Sequence, residues 1–206
     1  MNSAKIDTMS QPDEHLVEAL TDDLDTGFIA LFHAHRAVVF STALRITGRW
    51  ADAEDLTAEA FLRAYRALTG YHRDRIQALR PRSWLLTIVI NLWRNSQRDA
   101  ARRPVAVPAE QAPDPPDPQD VQRTVDERET DRELAELLAV LPADQRAAVV
   151  LRHVVDLPVA EVAVVLGRPA GTVKSQISRG LHRLRELYPA AEQRGLVPSD
   201  PTEVRR

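Results

Sequence analysis

Cysteine is absent from these 206 residues, which excludes disulfides and thiolate metal sites. Catalytic signatures are missing too: there is no Gly-x-Ser-x-Gly elbow, no His-Glu-x-x-His and no Cys/His cluster at zinc spacing. The expectation is a protein that is not an enzyme and holds no cofactor and no metal. No apolar run reads as long enough to span a bilayer and no signal peptide is evident, so a cytoplasmic chain without membrane insertion is expected. The segment Gly167 to Ser175, GRPAGTVKS, has a superficial likeness to a phosphate-binding loop. Its glycines are one residue too close, Lys174 does not follow the second glycine, and a helical pattern precedes it rather than a strand.

A local absence is more telling. No acidic residue occurs between Glu161 and Glu186, and the sequence there divides into a scaffold half and a reading half. Val162, Ala163, Val165 and Leu166 predict a short amphipathic helix, Gly167-Arg168-Pro169 breaks it, and a second helix opens near Gly171. Val173, Ile177, Leu181 and Leu184 share one stripe of that second helix, while Ser175, Arg179 and His182 point away, flanked by Thr172, Lys174, Ser178 and Arg183. An apolar back and a cationic front after a tight turn suit a helix-turn-helix whose second helix lies in a DNA major groove.

The net charge of -3 conceals strong local imbalance. From Arg73 to Arg103 there are eight arginines against Asp74 and Asp99, whereas from Glu110 to Glu136 there are ten carboxylates against three arginines. Two basic blocks therefore flank an acidic connector. That connector is also rich in proline: Pro104, Pro108, Pro113, Pro115, Pro116 and Pro118 exclude a continuing helix and predict an extended linker. On either side the patterns are helical. Phe28, Leu31, Phe32, Val38, Val39 and Leu44 define one face, and Leu56, Ala60, Phe61, Ala64 and Leu68 another. A third helix, with Ser83 as N-cap after Pro81, is expected to bury Trp84, Leu85, Ile88 and Leu92 and to expose Thr87, Asn91, Arg94 and Arg98. After the linker, Leu134, Leu137, Leu138 and Leu141 resume the pattern, Pro142 punctuates it, and Val149, Val150 and Val154 lead into the helix-turn-helix. The expected fold is all-α: two small helical domains over 14–103 and 131–188, a linker over 104–130 and a disordered tail over 189–206.

Two constellations have competing explanations. Asp52, Glu54, Asp55 and Glu59 crowd one predicted helix; Asp55 and Glu59, four residues apart, meet at a cost of roughly 0.2–0.5 kcal/mol. Asp52 near the helix start is favoured by the macrodipole. For the rest, a solvated face and a docking surface for a basic partner both stand. Trp84 and Trp93, with Tyr71 just before, mix aromatics with arginines as single-stranded nucleic acid would require. Trp84 reads more readily as core, Trp93 is open between core and base stacking, and Asn91 has the side chain to bond a base edge.

Three motifs now stand in order: DAEDLTAEAF (52–61), WLLTIVIN (84–91) and LPADQRAAVVLRHVVDLPVAEVAVVLGRPAGTVKSQISRGLHRLREL (141–187). Together they resemble the extracytoplasmic-function sigma factors, the smallest members of the sigma-70 family, over about Leu16 to Tyr188. The resemblance implies a sigma-two helical bundle that docks on the β′ clamp helices of core RNA polymerase and opens the promoter at its minus-ten element. It also implies a sigma-four domain that meets the β flap and reads the minus-thirty-five element as duplex, and a protein antagonist, an anti-sigma factor. Matched by position, Asp52, Asp55 and Glu59 would dock on polymerase. Trp84, Asn91, Arg94 and Arg98 would serve the minus-ten element, with Asn91 at a flipped base. Arg168, Thr172, Lys174, Ser175, Ser178, Arg179 and Arg183 would serve the minus-thirty-five element. Two departures from the family pattern are Ala58, where Gln is usual, and a longer, arginine-rich segment from Gly70 to Arg82. A stand-alone helix-turn-helix regulator on operator DNA is the alternative, supported by the C-terminal half only.

Overall fold

The computed structural model of the chain describes residues 11–102 and 133–192. The expected linker over 104–130 and residues 193–206 of the expected tail lie outside the described residues. Among the described residues every regular element is helical and there is no strand. The chain divides into two compact units, 1–43 with 54–105 and 44–53 with 106–206.

The first unit is built from α1 (Gln11–Asp22), most of α2 (Leu24–Thr47) and of α3 (Trp50–Leu68), α4 (Arg73–Gln77) and α5 (Pro81–Arg102), while the end of α2 and the start of α3, 44–53, fall in the second. Asp23 caps α2: its carboxylate accepts from the backbone N–H of Thr26 at 3.1 Å and from the Thr26 hydroxyl. Those bonds stabilise the ionised form and hold the Asp23 carboxyl below its ordinary pKa. The core gathers Leu31, Val39 and Ala43 of α2, Ala60, Phe61, Ala64 and Leu68 of α3, and Leu85, Leu86, Val89, Ile90 and Trp93 of α5. Phe61 stands edge-on to Phe32 and Phe28, with ring centroids 4.8 and 6.4 Å apart. α2 corrects the expectation that no apolar run could span a bilayer, since by length and composition it could. It is nonetheless a core helix here, with Leu31, Val39 and Ala43 wholly buried.

α5 differs from expectation in two respects. It begins at Pro81, not after Ser83: the backbone N–H of Trp84 already bonds the Arg80 carbonyl at 2.9 Å. Proline suits the first helical position because its missing N–H would be unpaired there in any case, and Ser83 sits inside the first turn, buried. The buried face is also rotated. Leu85 and Leu92 are in the core as expected, but Trp84 and Ile88 are only half-buried, and Trp93 is 1% exposed.

The second unit carries a helix whose described part is 133–139, here α6, then α7 (Ala143–Val149), a π-helical turn (Val150–Val154), α8 (Val159–Leu166) and α9 (Ala170–Glu192). Arg146 ties α6 to α7, donating from Nη2 to the carbonyls of Ala139 at 2.6 Å and Leu141 at 3.2 Å. The π turn ends α7: Val155 N–H bonds the Val150 carbonyl, five residues back, at 3.0 Å. Asp156 then reverses the chain with φ 59°, and its carboxylate takes an ion pair from Arg152 Nη1 at 2.9 Å. α9 runs past the expected domain limit at Tyr188 to Glu192.

Candidate nucleic-acid and polymerase interfaces

The helix-turn-helix is set by one left-handed residue and one close approach. Gly167 ends α8 at φ 60°, ψ 40°, where a side chain would be strained, and Arg168 N–H returns to the Ala163 carbonyl at 3.0 Å. α9 restarts after Pro169, whose carbonyl accepts from Val173 N–H at 3.0 Å. Gly180 lets α9 lie directly on α7: a Cβ there would stand 2.7 Å from Val149 Cγ2. Val173 and Ile177 are buried on this side, and Leu181 and Leu184 half-buried, so the stripe read from the sequence is the packed face of α9.

The opposite face of α9 is open. Thr172, Lys174, Ser175, Ser178, Arg179 and Arg183 are all exposed, as is Arg168 in the turn. Ser175 Oγ donates to the Gly171 carbonyl at 3.0 Å and Arg179 Nε to the Ser175 carbonyl at 3.2 Å. That bond engages Nε alone and leaves the outer Nη edge of the guanidinium in solvent. Arg168 reaches Asp144 at the start of α7, at 4.0 Å. Exposed pairs of this kind contribute about 0–1 kcal/mol, so a phosphate could displace the carboxylate at little cost.

On α5 the rotation of the core face decides what is presented. Trp84, Asn91 and Arg98 recur at sevenfold spacing, and Arg94 lies within the same stripe, at about 100° of turn per residue. Trp84 is half-buried, Asn91 and Arg98 are exposed, and Arg94 is half-buried. Trp93, left open between core and base stacking, is thus core, and Trp84, first read as core, is half-buried at the surface. Trp84 is not alone there. Tyr71 approaches it with a centroid separation of 6.2 Å and a 58° tilt, and Arg75 lies 3.8 Å over the Tyr71 ring. Arg75 was missed as a partner of this aromatic pair. Helical spacing gave no signal for it, because Tyr71 lies before the N-cap of α4.

On α3, Asp52 and Asp55 are exposed and Glu59 half-buried. Glu59 has a local explanation that sequence reading did not find: Arg63 Nε donates to its carboxylate at 2.6 Å, four residues on. Asp52 has a long contact of 3.9 Å with Arg49. Leu62 on α3 and Ile29 on α2 are exposed apolar side chains, 43% and 59% accessible. Among the described residues no cluster of His, Asp and Glu could hold a metal ion.

Residues 31–103 match the family model for Sigma-70 region 2, and residues 131–184 match that for Sigma-70, region 4. Among curated relatives, the ECF RNA polymerase sigma factor SigL of Mycobacterium tuberculosis is 34% identical over 160 residues, covering 76% of this chain and 85% of that protein. The RNA polymerase sigma-E factor of Streptomyces coelicolor is 35% identical over 146 residues, covering 70% and 76%. The ECF RNA polymerase sigma factor SigE of Mycolicibacterium smegmatis is 32% identical over 157 residues, and this chain spans 59% of its length. Among solved structures, CnrH in complex with the cytosolic domain of CnrY is similar with a TM-score of 0.63 and 25% identity, covering 87% of this chain and 99% of that one. The sigma factor RpoE in complex with the anti-sigma factor NepR from Bartonella quintana has the same fold with a TM-score of 0.56 and 23% identity, covering 82% and 98%.

Proposed function

This chain belongs to the extracytoplasmic-function sigma factors of the sigma-70 family, and from that premise we propose how its residues share the work of promoter selection. A sigma factor catalyses nothing; it binds core RNA polymerase and promoter DNA and directs where transcription starts. In this reading residues 14–103 form the polymerase-docking and minus-ten domain, 104–130 the linker and 131–188 the minus-thirty-five domain.

The observation that carries the reading is the division of α9 into a buried apolar back and an exposed cationic front over a stretch free of carboxylates. Arg179 donates to a base edge in the minus-thirty-five major groove, with Lys174, Ser175 and Ser178 beside it and Arg168, Thr172 and Arg183 on phosphates. On the other domain, Asn91 reads an unstacked minus-ten base, Trp84 stacks or wedges beside it, and Arg94 and Arg98 hold the opened strand's phosphates. Asp52, Asp55 and Glu59 face the β′ clamp helices. The β flap meets the minus-thirty-five domain. An anti-sigma factor, as accompanies RpoE of Bartonella quintana, would hold the chain inactive until a stress or environmental signal. All of this takes place in the cytoplasm, where polymerase and chromosome are.

A stand-alone operator-binding regulator would use α8 and α9 but leave the first unit without a task. Gel shift on a cognate promoter fragment, with and without core polymerase, separates the two. Strong specific shift only with core supports the sigma mechanism; an equally strong specific shift by the free chain refutes it.

A further inference from the structure

The arginine-rich segment between α3 and α5 contains α4, which is five residues long. A helix of that length does not persist in isolation, and His72 at its N-cap offers no side-chain bond. Its order comes from docking. Ile76 of α4 and Leu79 just beyond it are buried, and α4 packs on α1, whose Leu16, Val17 and Leu20 are buried as well. α1 also packs on α5, the helix that presents Trp84 and Asn91.

A carboxylate at the C-terminal end of α1 meets a cation at the start of this segment: Asp22 Oδ1 receives Arg73 Nη2 at 3.4 Å, across 51 residues of sequence. At the N-terminal end of α1 Asp13 Oδ1 lies 3.5 Å from Nε2 of the buried His35 of α2, which ties α1 to that helix. α1 itself is fixed independently of any ligand. Gly27 permits α2 to pass so close that a Cβ there would stand 2.4 Å from the Leu20 nitrogen.

We propose that α1 is a positioning element for minus-ten recognition: without touching DNA, it holds α4 and the Tyr71–Arg75–Trp84 platform in place, with Asp22 fixing the segment through Arg73. The inference rests on α5 being the minus-ten reader. It gives the acidic N-terminal helix a part in base preference that its charge would argue against, since a carboxylate near DNA repels phosphate. The cost of that repulsion is offset by order in the segment that must be in register when a base leaves the stack.

The test uses the full chain with core polymerase and a promoter set substituted base by base at the minus-ten element. Asp22→Lys places a cation against Arg73; Asp22→Glu restores the carboxylate. Expected for Asp22→Lys is a fall of about two- to fivefold in the ratio of run-off from the preferred to the substituted promoters, the span that an exposed ion pair commands. Melting temperature and core recovery should be unchanged because Asp22 is exposed, and Asp22→Glu should behave as wild type. Hydrogen exchange in the free chain should show faster exchange of the α4 amides in Asp22→Lys only. Unaltered exchange and base preference would overturn the proposal, as would improved promoter opening by Asp22→Lys, which would make Asp22 a competitor with DNA. Asn91→Ala runs in parallel. If it changes base preference while Asp22→Lys does not, the positioning role fails and the reading of α5 stands; if Asn91→Ala is silent as well, the reading of α5 fails too.

Discussion

Gly180→Ala opposes two effects that local reasoning and tertiary packing rank differently. Inside an exposed helix the change stabilises by about 1 kcal/mol, because alanine has less backbone entropy to lose. In α9 the added Cβ falls 2.7 Å from Val149 Cγ2, with Gln145 Cβ at 3.5 Å. Ordinary carbon contact is about 3.5–4.0 Å, so α9 and α7 must part by about 1 Å or Val149 must turn. Val149 resists turning: it is buried, helical and β-branched, with one strongly preferred rotamer. Overpacking of this kind costs about 1–3 kcal/mol, leaving a net destabilisation of about 0–2 kcal/mol. The sharper measurement is the coupling with Val149→Ala, which removes the obstructing methyls. Denaturant unfolding of the four proteins of the cycle should show Gly180→Ala less harmful in the Val149→Ala background, with a coupling of about 0.5–3 kcal/mol. If Gly180→Ala instead raises stability by the full helix-propensity increment and the cycle shows no coupling, α9 does not lie this closely on α7, and the orientation of its cationic face is wrong as well.

Other outcomes follow from the interfaces. Arg179→Ala should lower discrimination for the cognate minus-thirty-five element by about 1–3 kcal/mol with unchanged unfolding; unaltered run-off from that promoter would refute the assigned face of α9. Asp55→Lys should reduce recovery of core polymerase in a pull-down, and so should Glu59→Lys paired with Arg63→Glu, which keeps the helical ion pair while reversing its polarity; equal recovery of all three proteins would leave the acidic face as mere solvated surface. Burial is the largest influence on His35 and lowers its pKa, while Asp13 opposes and Arg82 reinforces that shift. A histidine with a folded pKa below its unfolded value of about 6.5 contributes stability above that pH, which is lost as pH falls through the folded value. Wild type should therefore become easier to unfold as pH drops below about 6.5, and His35→Gln should show a shallower slope there; identical slopes would mean that His35 does not resist protonation.

The sequence by itself determined the helix-turn-helix almost completely. Its second helix has apolar residues on one stripe and polar or cationic residues elsewhere, so only one rotation buries Val173 and Ile177 without burying charge, and Gly167 and Pro169 punctuate it locally. Asp52, Asp55 and Glu59 could be placed on one helix by the same means, though not the Arg63 bond that neutralises Glu59. α5 was not legible in this way. WLLTIVINLW is apolar nearly all round, so its period does not choose a face, and only tertiary packing decided that Leu86, Val89, Ile90 and Trp93 go inward while Trp84 stays half-buried. α2 shows the same limit: long and apolar enough for a bilayer, it buries Leu31, Val39 and Ala43 in the protein core, which composition alone does not reveal. α4 is too short for any periodicity to reveal, and its order, like the task inferred for α1, arises from residues far apart in sequence brought together by the fold.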